Sequence, residues 1–254
     1  DVAATSLNMK WDSAQNKPLL TSIPYNSAIS LNVYGSFTLQ PEMNYSVYYT
    51  YFKSSLPAQT ITTNGAKLEF SETGSRGIYI YFDGTGEWVL QDDLIAPNTY
   101  LSINQGTFNT NGKQVSLERI ASDGFLQKTL ALGSSTVRLS GSQWRQMPNF
   151  NLNAGTSNII FTSASFSFWG EANHQFYNLT FEKSAQLLWT VNANTITLKD
   201  GGSLSNGAVN NLILSPNRTY SFEANKTFTI NQSLIAYSTP CTGFITLNSQ
   251  TAGN

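Results

Sequence analysis

The 254-residue sequence predicts an all-β protein, a right-handed parallel β-helix with irregular capping ends. Three observations predict it: short apolar/polar alternation through most of the chain, turn-forming clusters that punctuate it, and motifs that return at long range. Thr63-Asn64-Gly65 recurs as Thr110-Asn111-Gly112, 47 positions on, and Ser205-Asn206-Gly207 follows 95 positions later. Asn178-Leu179-Thr180-Phe181 has a counterpart in Asn225-Lys226-Thr227-Phe228, again at a spacing of 47. An antiparallel β-sandwich is the alternative that short strands and bends also allow. The recurrence argues against it, because each sandwich strand has its own environment whereas stacked coils share one.

In chain order, residues 1–28 read as an irregular N-terminal segment that caps the stack, which an open end needs to cover its apolar core and strand edges. Residues 29–235 read as the solenoid. Alternation starts at Ile29-Ser30-Leu31-Asn32-Val33 and returns at residues 100–103, 115–117, 137–139, 166–168, 196–198, 220–222 and 228–230. One face of each run is expected inward and the other outward. Residues 45–52, rich in Tyr and Phe, read as one strand with rings on both faces. Between the runs, Asp83-Gly84-Thr85-Gly86, Asn104-Gln105-Gly106, Asn153-Ala154-Gly155, Asp200-Gly201-Gly202 and Ser215-Pro216-Asn217 supply the special φ values of bends. If 47 residues hold two coils, one coil has about 23. Asn64, Asn111 and Asn206 would then occupy equivalent corners and stack as an amide ladder. Residues 236–254 read as a C-terminal segment that continues into a further module.

Composition narrows the function classes. Charged residues are only 11% and the net charge is −1, so there is no electrostatic footprint for nucleic acid. No apolar run reaches membrane-spanning length, so membrane insertion is not expected. The single cysteine, Cys241, excludes an intrachain disulfide and any multi-cysteine metal site.

The inventory of reactive groups points away from an enzyme. His174 is the only histidine, and no Gly-x-Ser-x-Gly elbow surrounds any serine. Asp92-Asp93 is the only adjacent acidic pair, and neighbours in a strand diverge, so both read as turn acids capping backbone NH groups. No cofactor is expected. Asp200-Gly201-Gly202 is only a fragment of a repeat-type calcium motif, and calcium held by other acids such as Asp83 or Glu87 is a minor alternative. In Ile78-Tyr79-Ile80-Tyr81-Phe82 the alternation directs Tyr79 and Tyr81 outward as a pair. They are the candidate ligand or partner surface, set against the plainer reading of ring packing between adjacent coils. Sequons stand at Asn44, Asn178, Asn217, Asn225 and Asn231, as a chain so rich in Asn, Ser and Thr produces by chance.

The run Ile80-Tyr81-Phe82-Asp83-Gly84-Thr85-Gly86-Glu87-Trp88-Val89-Leu90-Gln91-Asp92-Asp93-Leu94, followed by Gly106-Thr107-Phe108-Asn109-Thr110-Asn111-Gly112-Lys113, resembles long β-solenoid surface proteins of the adhesin type from Bacteroidetes and environmental bacteria. The likeness continues through residues 132–137, 152–157 and 176–181. It implies a non-catalytic structural or adhesive segment of an exported, cell-surface protein, in some cases carried by type IX secretion. The partners it implies are neighbouring modules of a larger chain, surface glycans or another surface protein. The competing class is a carbohydrate-binding or polysaccharide-degrading β-helix, including the phage tailspike kind.

Overall fold

A computed structural model describes residues 2–4, 7–8, 19–21, 30–41, 43–68, 77–145, 148–164, 166–169, 174–187, 189–236 and 243–249. Cys241 lies outside the described residues. The fold is a parallel β-solenoid, with no helix among the described residues. Every strand pairing is parallel, which the antiparallel sandwich does not allow.

Each coil crosses three faces in turn. Face one stacks Ser30–Val33, Tyr49–Phe52, Tyr79–Phe82, residues 100–103 and residues 119–121 in register. It continues through Gln143–Arg145, Phe166–Trp169, Ala185–Leu187, Gly202–Leu204, Arg218–Phe222 and Ile245–Ser249. Face two stacks Phe37–Thr38, Gln59–Thr62, Glu87–Leu90, Gly106–Asn109, Lys128–Ala131 and Phe150–Asn153. Face three carries the column Leu94, Val115, Val137, Ile159, Leu179, Ile196 and Leu212. All seven are buried, and each such side chain contributes about 1.5–3 kcal/mol through burial. Aromatic rings fill the middle of the stack, where Phe82 lies 5.1 Å from Phe52 and 4.6 Å from Phe108.

The N-terminal segment expected as an irregular cap contains Val2–Ala4, Leu7–Asn8 and Leu19–Thr21, each parallel to a strand of the next coil. Residues 45–52 form two strands, Asn44–Ser46 and Tyr49–Phe52, not the single strand expected. Val47 is buried between them and the chain changes face there, so the aromatic run spans a corner.

The long-range repeats divide sharply. Asn64 and Asn111 do occupy the same corner, between faces two and three, two coils apart. Both adopt positive φ, +50° and +51°, and each donates its amide to a carbonyl one coil below, Leu39 O at 2.7 Å and Leu90 O at 2.9 Å. Gly133 and Gly155 take the same backbone conformation at this corner in the next two coils. Asn206 stands elsewhere, between Gly202–Leu204 on face one and Gly207–Leu214, where its side-chain oxygen accepts from Thr227 NH. Gly106 opens face two whereas Gly201 precedes face one, and residues 178–181 lie on face three whereas residues 225–228 are a turn and a strand start. The reason is coil length. Successive residues of the face-three column are 21, 22, 22 and 20 apart up to Leu179 and then 17 and 16 apart. No fixed period survives that shortening.

The coils shorten because the corner turn disappears. Faces two and three merge into single strands, Gln175–Phe181, Val191–Leu198 and Gly207–Leu214, each with two consecutive outward residues at a kink. There the structure holds an amide ladder, of different residues from those expected: Asn210 Nδ2 donates to Asn194 Oδ1 at 3.0 Å and Asn231 Nδ2 to Asn210 Oδ1 at 3.5 Å.

Candidate functional site

Alternation places Ile78, Ile80 and Phe82 in the core and leaves Tyr79 and Tyr81 half-buried on the outside of face one. In-register stacking then assembles a patch. Tyr49 pairs with Tyr79 and Tyr79 with Tyr100, while Tyr51 pairs with Tyr81. Tyr48, just before the strand, packs 5.2 Å from Tyr79. The result is a six-tyrosine surface across three coils.

The rings spend much of their faces on each other. Tyr51 and Tyr81 are 5.0 Å apart and within 14° of parallel, a separation that two flat rings reach only by offset stacking. Tyr49 to Tyr79 and Tyr79 to Tyr100 are both 5.5 Å, tilted by 46° and 53°. Such contacts contribute about 0.5–1.5 kcal/mol per pair beyond area burial. What the cluster offers a ligand is chiefly ring edges and phenol hydroxyls.

A polar rim surrounds the patch. Arg119 lies over the Tyr100 ring at 4.7 Å and Lys53 over Tyr51 at 5.2 Å. Tyr100 OH donates to Asp123 Oδ2 at 2.7 Å, Ser102 donates to the same oxygen at 3.0 Å, and Asn104 Nδ2 donates to Asp83 Oδ1 at 2.6 Å. Burial pushes the Tyr81 phenol up to about 12, with Tyr51, Tyr49, Tyr79 and Asp123 adding to it. Burial likewise raises Tyr51, Tyr79 and Tyr100, the last also through its bond to Asp123. At neutral pH these phenols are therefore uncharged donors and acceptors.

Tyr49, Tyr51, Tyr100, Arg119 and Asp123 did not emerge from the sequence. The alternating Tyr49-Thr50-Tyr51 and Tyr79-Ile80-Tyr81 are the signal that finds them, but their spacing of thirty departs from the 21 residues that separate Tyr79 from Tyr100, so no fixed period links them. Beside Asp123, Lys128 turns its fully buried side chain back to donate to Gly124 O at 2.7 Å and Leu126 O at 3.0 Å. That clamp holds up a loop whose tip, Phe125 and Leu126, is exposed. Burial lowers the ammonium's pKa and Asp123 opposes the shift.

The acids expected at turns lie at corners and serve the backbone. Asp92 accepts from Thr63 NH at 2.8 Å, Thr63 Oγ1 at 3.2 Å and Asn64 NH, all in the coil below. Asp93 accepts from Gln114 NH at 2.8 Å in the coil above. The pair diverges and stitches three coils. The remaining calcium candidates also have partners: Asp83 and Glu87 accept from Asn104 and Asn109, and Asp200 pairs with Arg218 at 2.6 Å. Among the described residues no group of three or more His, Cys, Asp or Glu side chains is arranged to hold a metal ion. His174 is half-buried, its ring edge-on to Phe150 at 5.4 Å.

Fold and surface together define a parallel β-helix repeat protein with an aromatic patch on one face of the prism. No family model, curated protein or solved structure matches the chain.

Proposed function

We propose that this chain is a non-catalytic structural or adhesive β-solenoid segment of an exported bacterial cell-surface protein, a stiff spacer that presents its lateral faces to partners. The observation that carries the reading is the continuous stack itself. Its aliphatic and aromatic columns run through successive coils, and its corner acids, Asp92 and Asp93, are engaged in joining coil to coil. Such a stack resists bending because each coil is bound to both neighbours through three faces. Neighbouring modules of a larger chain, a surface glycan or another surface protein are the partners this role calls for, with neither nucleic acid nor membrane insertion involved. The resemblance to Bacteroidetes surface solenoids supports export and display, with type IX secretion as one route. No cofactor is needed, so chelation should leave the melting temperature unchanged.

A carbohydrate-binding role is the second reading, favoured by the tyrosine patch and its rim of Arg119, Lys53 and Asp123. Glycan-array binding with wild type and Tyr81→Ser separates the two. An empty array with both proteins supports the spacer, whereas a hit lost in Tyr81→Ser assigns the patch to glycan. Release of reducing ends from any polysaccharide overturns the non-catalytic reading.

A further inference from the structure

The tyrosines of face one meet like end against like end. Tyr51 and Tyr81 are register partners on adjacent parallel strands, so their side chains leave the face in the same direction and their hydroxyl-bearing ends run side by side. Their rings lie 5.0 Å apart and within 14° of parallel. This brings the ring carbons beside one hydroxyl against those beside the other. The tilted pairs Tyr49–Tyr79 and Tyr79–Tyr100, at 46° and 53°, and the edge-on Tyr48–Tyr79, at 64°, lack that overlap.

A phenoxyl radical concentrates its spin on the carbons beside its oxygen, and two such radicals held ring on ring join there with no search for a partner. Making the radicals is the harder step. An uncharged phenol that gives up an electron must shed its proton with it, and so needs a base within hydrogen-bond reach. Tyr100 has one: its OH donates to Asp123 Oδ2 at 2.7 Å, and Ser102 Oγ donates to the same oxygen at 3.0 Å and holds the carboxylate in place. Tyr100 lies 6.3 Å from Tyr81, which in turn stacks on Tyr51. A radical formed at Tyr100 therefore passes to Tyr81 and on to Tyr51, ring to neighbouring ring.

We propose that Tyr51 and Tyr81 are a site of oxidative cross-linking, joined as dityrosine by hydrogen peroxide and a haem peroxidase, with Tyr100 and Asp123 as the point of entry. Each of the two phenols loses one electron and one proton, and a carbon–carbon bond forms between the ring carbons beside their hydroxyls. The hydrogens on those carbons then move through solvent to the phenoxyl oxygens, which restores both phenols. The two electrons and two protons released reduce one hydrogen peroxide to two waters. The product is a covalent staple between adjacent coils, closing thirty residues of chain. It goes beyond the spacer reading, which it would reinforce, and it needs no glycan.

The test is treatment of the full chain, kept dilute, with hydrogen peroxide and a plant haem peroxidase at neutral pH. Wild type should gain the blue fluorescence of dityrosine while remaining a monomer on a denaturing gel. Its mass should fall by two hydrogens, and the cross-linked peptide should join Tyr51 to Tyr81. Tyr51→Phe and Tyr81→Phe keep the rings, and with an unchanged circular-dichroism spectrum each should lower the yield at least tenfold, whereas Tyr49→Phe should leave it within twofold. Asp123→Asn keeps an acceptor for Tyr100 but takes up no proton, so coupling should slow several-fold at neutral pH and recover as rising pH ionises the phenols. The linked protein should unfold at higher urea than the untreated one. A monomer without dityrosine, dityrosine confined to oligomers, a link mapped to another pair or full yield in Tyr51→Phe overturns the proposal. An unchanged rate in Asp123→Asn overturns the point of entry, and an unchanged urea midpoint overturns the staple. A chain that does not couple can still hold modules apart, so failure here is distinguishable from failure of the spacer reading.

Discussion

Replacing Asp92 by alanine should destabilise the fold more than any other single change at an exposed corner. The carboxylate takes two backbone NH groups and one hydroxyl from Thr63 and Asn64, in a coil separated from it by nearly thirty residues of chain. Each bond to an ionised acceptor is worth about 1.5–3 kcal/mol in a protected setting, and losses at exposed helix caps run about 0.5–2 kcal/mol. Asp92 is half-buried and Thr63 is buried, so the setting falls between these cases. Asp92→Ala should therefore cost about 2–3 kcal/mol. Asp92→Asn keeps one acceptor oxygen and should cost about half as much. Asp93→Ala removes a single bond at an exposed residue and should cost about 1 kcal/mol or less. Urea unfolding followed by circular dichroism gives the three values through the shift in midpoint at constant slope. If Asp92→Ala unfolds within about 0.5 kcal/mol of wild type, or Asp93→Ala is the more damaging, the corner acids are not stitching the coils.

Burial along the stack should set the cost of core truncation. Phe82→Ala, in contact with Phe52, Phe108 and Trp88, should lose about 3–5 kcal/mol, against about 1 kcal/mol or less for the half-exposed Leu234→Ala. Equal losses in urea melts would contradict this difference in burial. Gly155→Ala should lower the melting temperature by several degrees, because Gly155 has φ +55° and a Cβ there would sit 2.3 Å from Gly133 O. An unchanged melt would mean the corner is not packed as described. The tyrosine patch should make stability fall in alkali. Tyr81 is raised from 10 to about 12 in the folded chain, so the fold holds the proton more tightly than the unfolded chain does. That stabilisation is complete below about pH 10 and is lost as pH rises through about 12. Ultraviolet titration of tyrosinate should show Tyr81→Phe removing a late-titrating phenol, and loss of an ordinary phenol near pH 10 instead would contradict the burial.

Alternation determined a great deal. It is a local property, readable because a strand turns its side chains to opposite faces at every residue, so Ile78, Ile80 and Phe82 were legible as core and Tyr79 and Tyr81 as surface. The Thr-Asn-Gly pair was legible for a similar reason: positive φ at a tight corner admits few residues, and Asn and Gly are among them. Register between coils was another matter. It depends on coil length, and coil length changes along the chain, as where Tyr49 and Tyr79 meet thirty residues apart, or where a corner is replaced by a kink, as at Asn194 and Asn210. The sequence by itself therefore set which side of each strand meets the core and that coils stack, while only the tertiary structure decided which residues meet across coils. Tyr49 faces Tyr79, and Asn210 rather than Asn206 joins an amide ladder, because neighbours along the axis are chosen by the summed path of the chain around the prism.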